Sequence, residues 1–188
     1  GAGSGLGREA SQLFSSEGAK IAIVDIDGDR AEQMLKLVQE AGGEAIAITA
    51  DVSQKDQIVA ATDAAGEKIG KIDVTGANAG VVSRGGVPTV AGGEQVLFED
   101  LTEQDWNDVL GVNLSGVIFT AQAAVPHMKA NGGGTIIATS SAASFLAYHD
   151  ISFYSATKAG GNGLVRALAL DLGPFGIRAT GTAPTPAM

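Results

Sequence analysis

Short runs that are nearly continuous in apolar or small residues alternate along this chain with helix-length stretches, and glycines punctuate the joins. The short runs are Ile21 to Asp25, Ala45 to Ala50, Ile72 to Thr75, Thr135 to Thr139 and Ile177 to Thr182. Each reads as a strand covered by helices on both faces, because a strand with one wet face would alternate apolar and polar positions. The longer stretches are Leu6 to Ser16, Asp29 to Ala41, Lys55 to Ile69, Glu103 to Met128 and Ser155 to Leu172. Strands alternating with helices predict an α/β fold wound around a parallel sheet. Thr102 stands where a helix N-cap is expected, Asp105 follows as the reciprocal carboxylate, and Leu101 can staple onto Trp106. The irregular stretch from Val81 to Asp100, with Gly85-Gly86 and Gly92-Gly93, reads as a loop insertion.

Composition narrows the function classes. A chain of 188 residues, 45% hydrophobic and 18% charged, has the apolar content for one sizeable core, so a single domain over residues 1–188 is expected. The net charge is −9 and the 12 basic residues are scattered, which leaves no positive stripe to follow a phosphate backbone and argues against nucleic acid as a partner. The absence of cysteine excludes disulfides, thiolate catalysis and cysteine-based zinc sites, and two histidines without clustered carboxylates argue against any metal site. No uninterrupted apolar run approaches the roughly 18 residues of a membrane span, and no charged-then-apolar leader precedes Gly1, so the expectation is no membrane and a cytoplasmic location.

Three features carry chemistry. Tyr154-Ser155-Ala156-Thr157-Lys158 puts a phenol and an ammonium four residues apart, hence on one helix face. A free phenol ionises near about pH 10 and accepts protons poorly at neutrality unless a fixed positive charge favours the phenolate. Lys158 stands where it can supply that charge. Gly1-Ala2-Gly3-Ser4-Gly5-Leu6-Gly7 opens the first helix, and its glycines let the backbone turn tightly against a pyrophosphate at the positive helix end. Asp25 ends an apolar strand, where a carboxylate accepts hydrogen bonds from adenosine ribose hydroxyls and repels a 2′-phosphate. NAD is therefore expected over NADP, and the neighbouring Ile26-Asp27 offers no arginine to reverse that preference.

With Ser140-Ser141 upstream of Tyr154, and the spacing Gly1-x-x-x-Gly5-x-Gly7, the chain resembles the short-chain dehydrogenase/reductase family over almost its whole length. The resemblance implies a Rossmann-type doubly wound parallel sheet in three layers. It implies a catalytic set of Asn113, Ser141, Tyr154 and Lys158. Ser141 holds the family offset from Tyr154 and would hydrogen-bond the substrate oxygen, Ser140 being the non-catalytic member of the pair. Asn113 would mark a distortion in a long helix that leaves a backbone group to hold a water linking Lys158 to solvent. Lys158 would also bind the nicotinamide ribose. Cofactor contacts would come from Gly1, Ser4, Gly5, Leu6, Gly7, Asp25 and Ile26, from Asp51 and Val52 at the adenine, and from Asn78, Ala79 and Gly80 along the cleft.

The implied activity is the NAD-dependent interconversion of a secondary alcohol and a ketone. Phe145, Leu146, Tyr148, Ile151 and Phe153 suggest an apolar lining for the small-molecule substrate, with His149 the odd polar group. The resemblance further implies a homo-oligomer, tetramer or dimer, joined through the helices that carry Ala121, Ala123, Ala124, Ala159, Gly160 and Gly161. Two alternatives remain open: a non-catalytic NAD-binding sensor or scaffold of the same fold, since fold does not establish chemistry, and an isomerase using bound NAD transiently. Relatives of this kind commonly run to roughly 250 residues, so the chain is expected to lack a first, central strand and a C-terminal portion.

Overall fold

The computed structural model describes residues 1–82 and 97–185. The segment 83–96, which contains both glycine pairs of the expected insertion, lies outside the described residues, and its neighbour Phe98–Asp100 forms a short 3₁₀ turn.

In chain order the elements are helix α1 (Gly5–Ser16), strand β1 (Ile21–Asp25), α2 (Gly28–Glu40), β2 (Ala45–Thr49), α3 (Lys55–Ile69), β3 (Val74–Ala77), α4 (Glu103–Leu110), a π-helical turn (Gly111–Ser115), α5 (Gly116–Asn131), β4 (Gly134–Thr139), α6 (Ser152–Leu172) and β5 (Ile177–Thr182). All strand pairs are parallel. Such pairs need crossover helices, which then cover both faces. The apolar runs thus form the α/β architecture that the alternation predicts.

The strands depart from the sequence reading in two details. β3 lies two residues beyond the expected Ile72 to Thr75, because its position is set by register against β4, where Val74 pairs with Thr135 and Ala77 with Ala138. Ile72 is instead a buried core residue before the strand. The sheet is also in two parts, β1–β2 and β3–β4–β5. No described strand lies between β1 and β3. Gly1 and Ala2 reach the end of that gap, the Gly1 amino group and the Ala2 amide donating to the Val24 carbonyl at 2.9 and 3.0 Å.

The largest buried cluster joins Ala121, Ala124 and Met128 of α5 to Ile136 of β4 and Ile177 of β5. Ala123 packs in a second cluster with Ala50, Ile58 and Ala61. These three alanines are therefore spent on the chain's own core, whereas Ala159 and Gly160 on α6 remain exposed. The continuous helical run Glu103–Asn131 is long and apolar enough, by length and composition, to cross a membrane, although polar residues interrupt its apolar sequence. Its apolarity has a local use, because residues of α5 form much of the core beneath β4 and β5.

Thr102 and Asp105 form the reciprocal capping box expected at the start of α4: the Thr102 hydroxyl accepts from the Asp105 amide at 3.1 Å, and the Asp105 carboxylate accepts from the Thr102 amide at 2.9 Å. Trp106 packs edge-on against Phe153 at 5.2 Å between ring centroids, tying α4 to the beginning of α6.

Candidate active site

The carboxyl ends of the parallel strands gather the candidate residues, as expected for ligand sites in open α/β sheets. Helix α1 starts at Gly5, whose φ of +50° belongs to the left-handed region that glycine tolerates. A Cβ at Gly7 would come within van der Waals overlap of the Gly1 carbonyl and 2.7 Å from Asn78 Nδ2, so only glycine lets the loop fold back this closely. The Ser4 side chain makes no capping hydrogen bond and the first turn carries no acidic residue. The amides at this helix end are left for an anion, which fits a dinucleotide pyrophosphate.

Asp25 is 3% exposed at the end of β1. One carboxylate oxygen accepts from the Gly3 amide at 2.9 Å and the other from the Asp27 amide at 3.0 Å. Burial works against its ionisation, but these two amides, together with the Gly1 amino group 3.5 Å away, hold the carboxyl below its ordinary value. The same group therefore shapes the loop and keeps a negative charge at the end of β1. Ile26 is exposed beside it. Arg30, which the local reading around Ile26-Asp27 does not include, stands against the loop: a Cβ on Gly3 would lie 2.7 Å from Arg30 Cβ. Its guanidinium is paired with Asp27 at 3.2 Å.

Asp51 closes a turn by accepting from the Ser53 amide and hydroxyl at 2.9 and 2.8 Å. Val52 packs against Gly116, where an added Cβ would be 2.9 Å from a Val52 methyl. Asn78 bridges the two ends of the cleft, donating to the Gly1 carbonyl and accepting from Thr139 Oγ1, both at 3.0 Å. Gly80 faces Lys158, and a Cβ there would sit 3.2 Å from Lys158 Nζ.

At the chemical end, the long helix is interrupted where Asn113 sits, by the π-helical turn Gly111–Ser115. Such bulges free a backbone group from the regular ladder and occur often at functional sites. Asn113 is 1% exposed. Its Oδ1 accepts from the Val81 amide at 2.8 Å, and its Nδ2 donates to the Val81 carbonyl at 2.8 Å and to Thr157 Oγ1 at 3.2 Å. The side chain thus clamps the segment after β3 to α6. Val81 and Thr157 are partners that motif spacing does not reveal, although Thr157 lies within the Tyr-to-Lys interval.

Tyr154 and Lys158 occupy the first two turns of α6, which begins at Ser152, three residues before the expected start at Ser155, so both are helical and share one face. Lys158 is 4% exposed. Nζ donates to the Thr139 carbonyl at 2.6 Å and lies 5.6 Å from the Tyr154 ring centroid. Burial pushes its ammonium down from 10.5 to about 8. A lysine this buried, hydrogen-bonded to a carbonyl, carries a desolvation cost that surface lysines avoid. A cavity of about 10 Å³, at the lower limit for one water, is bounded by Asn113, Thr139, Ser140, Lys158 and Asn162 among others.

The two serines differ. Ser140 is 7% exposed and its hydroxyl turns inward to Ser144 Oγ at 3.1 Å. Ser141 is half-buried and caps the 3₁₀ turn Ala142–Ser144, its Oγ accepting from the Ala143 amide at 3.1 Å. Its own proton is available to a substrate oxygen. Beyond this turn Phe145, Leu146 and Tyr148 are exposed apolar side chains and His149 faces solvent, whereas Phe153 is engaged by Trp106 and by Phe98, 6.3 Å away.

The chain is similar to known proteins along almost its whole length. The family model described as short chain dehydrogenase matches residues 1–187. The chain is 37% identical to (-)-trans-carveol dehydrogenase of Rhodococcus erythropolis, covering 98% of this chain and 68% of that protein. It is 33% identical to 7alpha-hydroxysteroid dehydrogenase of Escherichia coli strain K12 over the same shares of the two chains, 98% and 68%. Among solved structures, a 7alpha-hydroxysteroid dehydrogenase complexed with NADH and 7-oxo glycochenodeoxycholic acid superposes with a TM-score of 0.88 at 32% identity, covering 98% of this chain and 68% of that one. The chain belongs to the short-chain dehydrogenase/reductase family.

Proposed function

We propose that this chain interconverts a secondary alcohol and a ketone with NAD, Tyr154 serving as general acid/base. Its family membership makes it a nucleotide-dependent oxidoreductase of CH–OH groups. The finer assignments rest on the site. The observation that carries them is a buried Lys158 one turn from Tyr154, bound to the Thr139 carbonyl immediately before the serine pair and flanked by Asn113.

In the oxidative direction Ser141 donates a hydrogen bond to the substrate oxygen and Tyr154 accepts the hydroxyl proton. In reduction Tyr154 returns that proton to the forming alkoxide. Lys158 supplies positive charge that favours the phenolate, in a setting dry enough for that charge to act strongly. Bound NAD supplies the nicotinamide carbon that takes or gives the hydride. Asn113 holds the Val81 segment against α6, which fixes the wall behind Lys158. Asp25 favours NAD over NADP by holding negative charge at the adenosine end, and Asp27, paired with Arg30 at the surface, partly neutralises that basic group beside the loop. Phe145, Leu146 and Tyr148 favour an apolar substrate, and relatives named for carveol and cyclohexanol dehydrogenation support a cyclic secondary alcohol. A panel of such alcohols, followed by NADH absorbance, should give turnover with at least one member; no turnover across the panel with NAD bound would favour a sensor or scaffold.

The same reading places the protein in the cytoplasm and assembles it as a homo-oligomer, most simply a tetramer, through the exposed part of α6 that bears Ala159 and Gly160. Leu170, 80% exposed on that helix, is suited to such a contact. Light scattering at micromolar concentration should show an assembly larger than one chain, and a fully active monomer would remove this part of the proposal.

A further inference from the structure

We propose that Asn162 and Ser144 are positioning residues for Ser141, forming a pin that fixes the serine turn to the helix bearing Tyr154 and Lys158. This rests on the catalytic reading above and adds a device that the Tyr-x-x-x-Lys spacing does not contain.

Tyr154, Lys158 and Asn162 follow one another at intervals of four residues on α6 and so share one face of the helix. Ser141 lies on a different element. It begins a 3₁₀ turn of only three residues, Ala142–Ser144, too short to set its own orientation. The backbone on its β5 side is held by the Ser140 amide donating to Thr182 at 2.7 Å and the Ala142 amide donating to Pro184 at 3.0 Å. Those bonds orient the turn toward β5. They do not connect it to α6.

The connection to α6 runs through Ser144. Asn162 Nδ2 donates to Ser144 Oγ at 2.8 Å, and Ser144 Oγ donates in turn to the Ser141 carbonyl at 2.6 Å. Ser140 Oγ adds a second donor to Ser144 at 3.1 Å. A hydroxyl has one proton and two lone pairs, so Ser144 is fully used, with both acceptor positions filled and its proton directed at Ser141. Two further side-chain bonds join this region to α6: Lys158 Nζ donates to the Thr139 carbonyl at 2.6 Å, which holds the end of β4 rather than the turn, and Ser140 Oγ donates to the Lys158 carbonyl at 3.5 Å, a long bond that competes for the same Ser140 proton. The direct path from the catalytic helix to Ser141 is therefore Asn162 to Ser144 to the Ser141 carbonyl.

Two donors on separate elements must meet one substrate oxygen. Catalytic groups have to be held within about 0.5 Å of productive geometry by neighbours that are themselves locked. Without the pin the turn would retain its β5 anchors and pivot relative to α6, moving the Ser141 hydroxyl while leaving Tyr154 and Lys158 in place. The loss should therefore fall on turnover and leave NAD binding alone.

The test uses the active enzyme with the best alcohol from the panel. Asn162→Leu keeps volume and removes the donor, Ser144→Ala removes the relay, and the double variant closes a cycle. Each single variant should lower kcat about tenfold with unchanged NAD affinity and unchanged pH dependence of kcat, and the double variant should fall no further, because both changes cut one path. Asn162→Gln, which retains the amide donor, should recover part of the loss. Unchanged kcat in Ser144→Ala, or losses that multiply in the double variant, would overturn the pin. If Asn162→Leu does not fold, Ser144→Ala and Asn162→Gln still decide the matter. Turnover by the parent enzyme, abolished in Tyr154→Phe, would keep the catalytic reading intact even where these variants are indifferent.

Discussion

The cofactor end and the chemical end of this molecule are built by different means. At the proposed cofactor end the backbone does most of the shaping: glycines remove side chains so that the loop can approach Gly1 and Asn78, and Asp25 accepts from main-chain amides. At the chemical end buried polar side chains from distant parts of the chain answer one another. Asn113 from the π-helical turn clamps Val81 and Thr157, and Lys158 from α6 reaches the Thr139 carbonyl of β4. The first arrangement needs local conformational freedom and the second needs the fold complete. Disturbing the first should change which nucleotide binds and how tightly, and disturbing the second should change turnover.

The largest separation is expected between the adjacent serines. Ser141→Ala removes the donor proposed to act on the substrate oxygen and should lower kcat by about 10²- to 10³-fold, as loss of one such donor commonly does. Ser140→Ala removes an inward hydrogen bond and should stay within about threefold. Equal losses would dissolve the distinction drawn between their two hydroxyls.

Lys158 offers a measure of how dry the chemical end is. Its folded value of about 8 lies below the 10.5 of the exposed side chain, so between these values the unfolded chain holds a proton that the folded one has lost. Unfolding free energy attributable to Lys158 therefore rises with pH across that window, while below about pH 8 the folded state bears the full cost of burying the charge. Lys158→Met should flatten this rise by on the order of 3 kcal/mol and lose turnover. Parallel stability curves for parent and variant from pH 8 to 10.5 would mean that the ammonium is well solvated.

The smallest effect belongs to the cofactor end. With Asp25 buried and charged and Arg30 engaged by Asp27, NAD should bind at least about tenfold more tightly than NADP, about 1.4 kcal/mol. Calorimetry giving equal affinities would place the 2′-phosphate away from Asp25.

Legibility in the sequence follows the same division. Glycine spacing, the acid ending β1 and the Tyr-to-Lys interval are local patterns, and each lies on the element expected for it. So does the capping box of Thr102 and Asp105, whose partners are three residues apart. What required the structure was tertiary pairing. The position of β3 was decided by its neighbour β4 rather than by the β-rich run that includes Ile72. Ala121, Ala123 and Ala124 present small side chains that suit a helix interface as well as a core, and only packing distinguishes the two. Arg30 reaches the glycine loop through the turn that starts α2, which strand-end reading at Asp25 does not extend to. The resemblance to a family supplied Asn113 as a site residue, but not its grip on Val81 and Thr157.

The central claim is that Tyr154 moves the proton while the cofactor end binds independently of it. Tyr154→Phe removes one hydroxyl oxygen and its proton and nothing else, so turnover of the alcohol and NAD affinity should be measured together on that variant. Loss of NADH formation to the assay background with an NAD dissociation constant within about twofold of the parent is the predicted result. Substantial turnover in Tyr154→Phe would contradict the account.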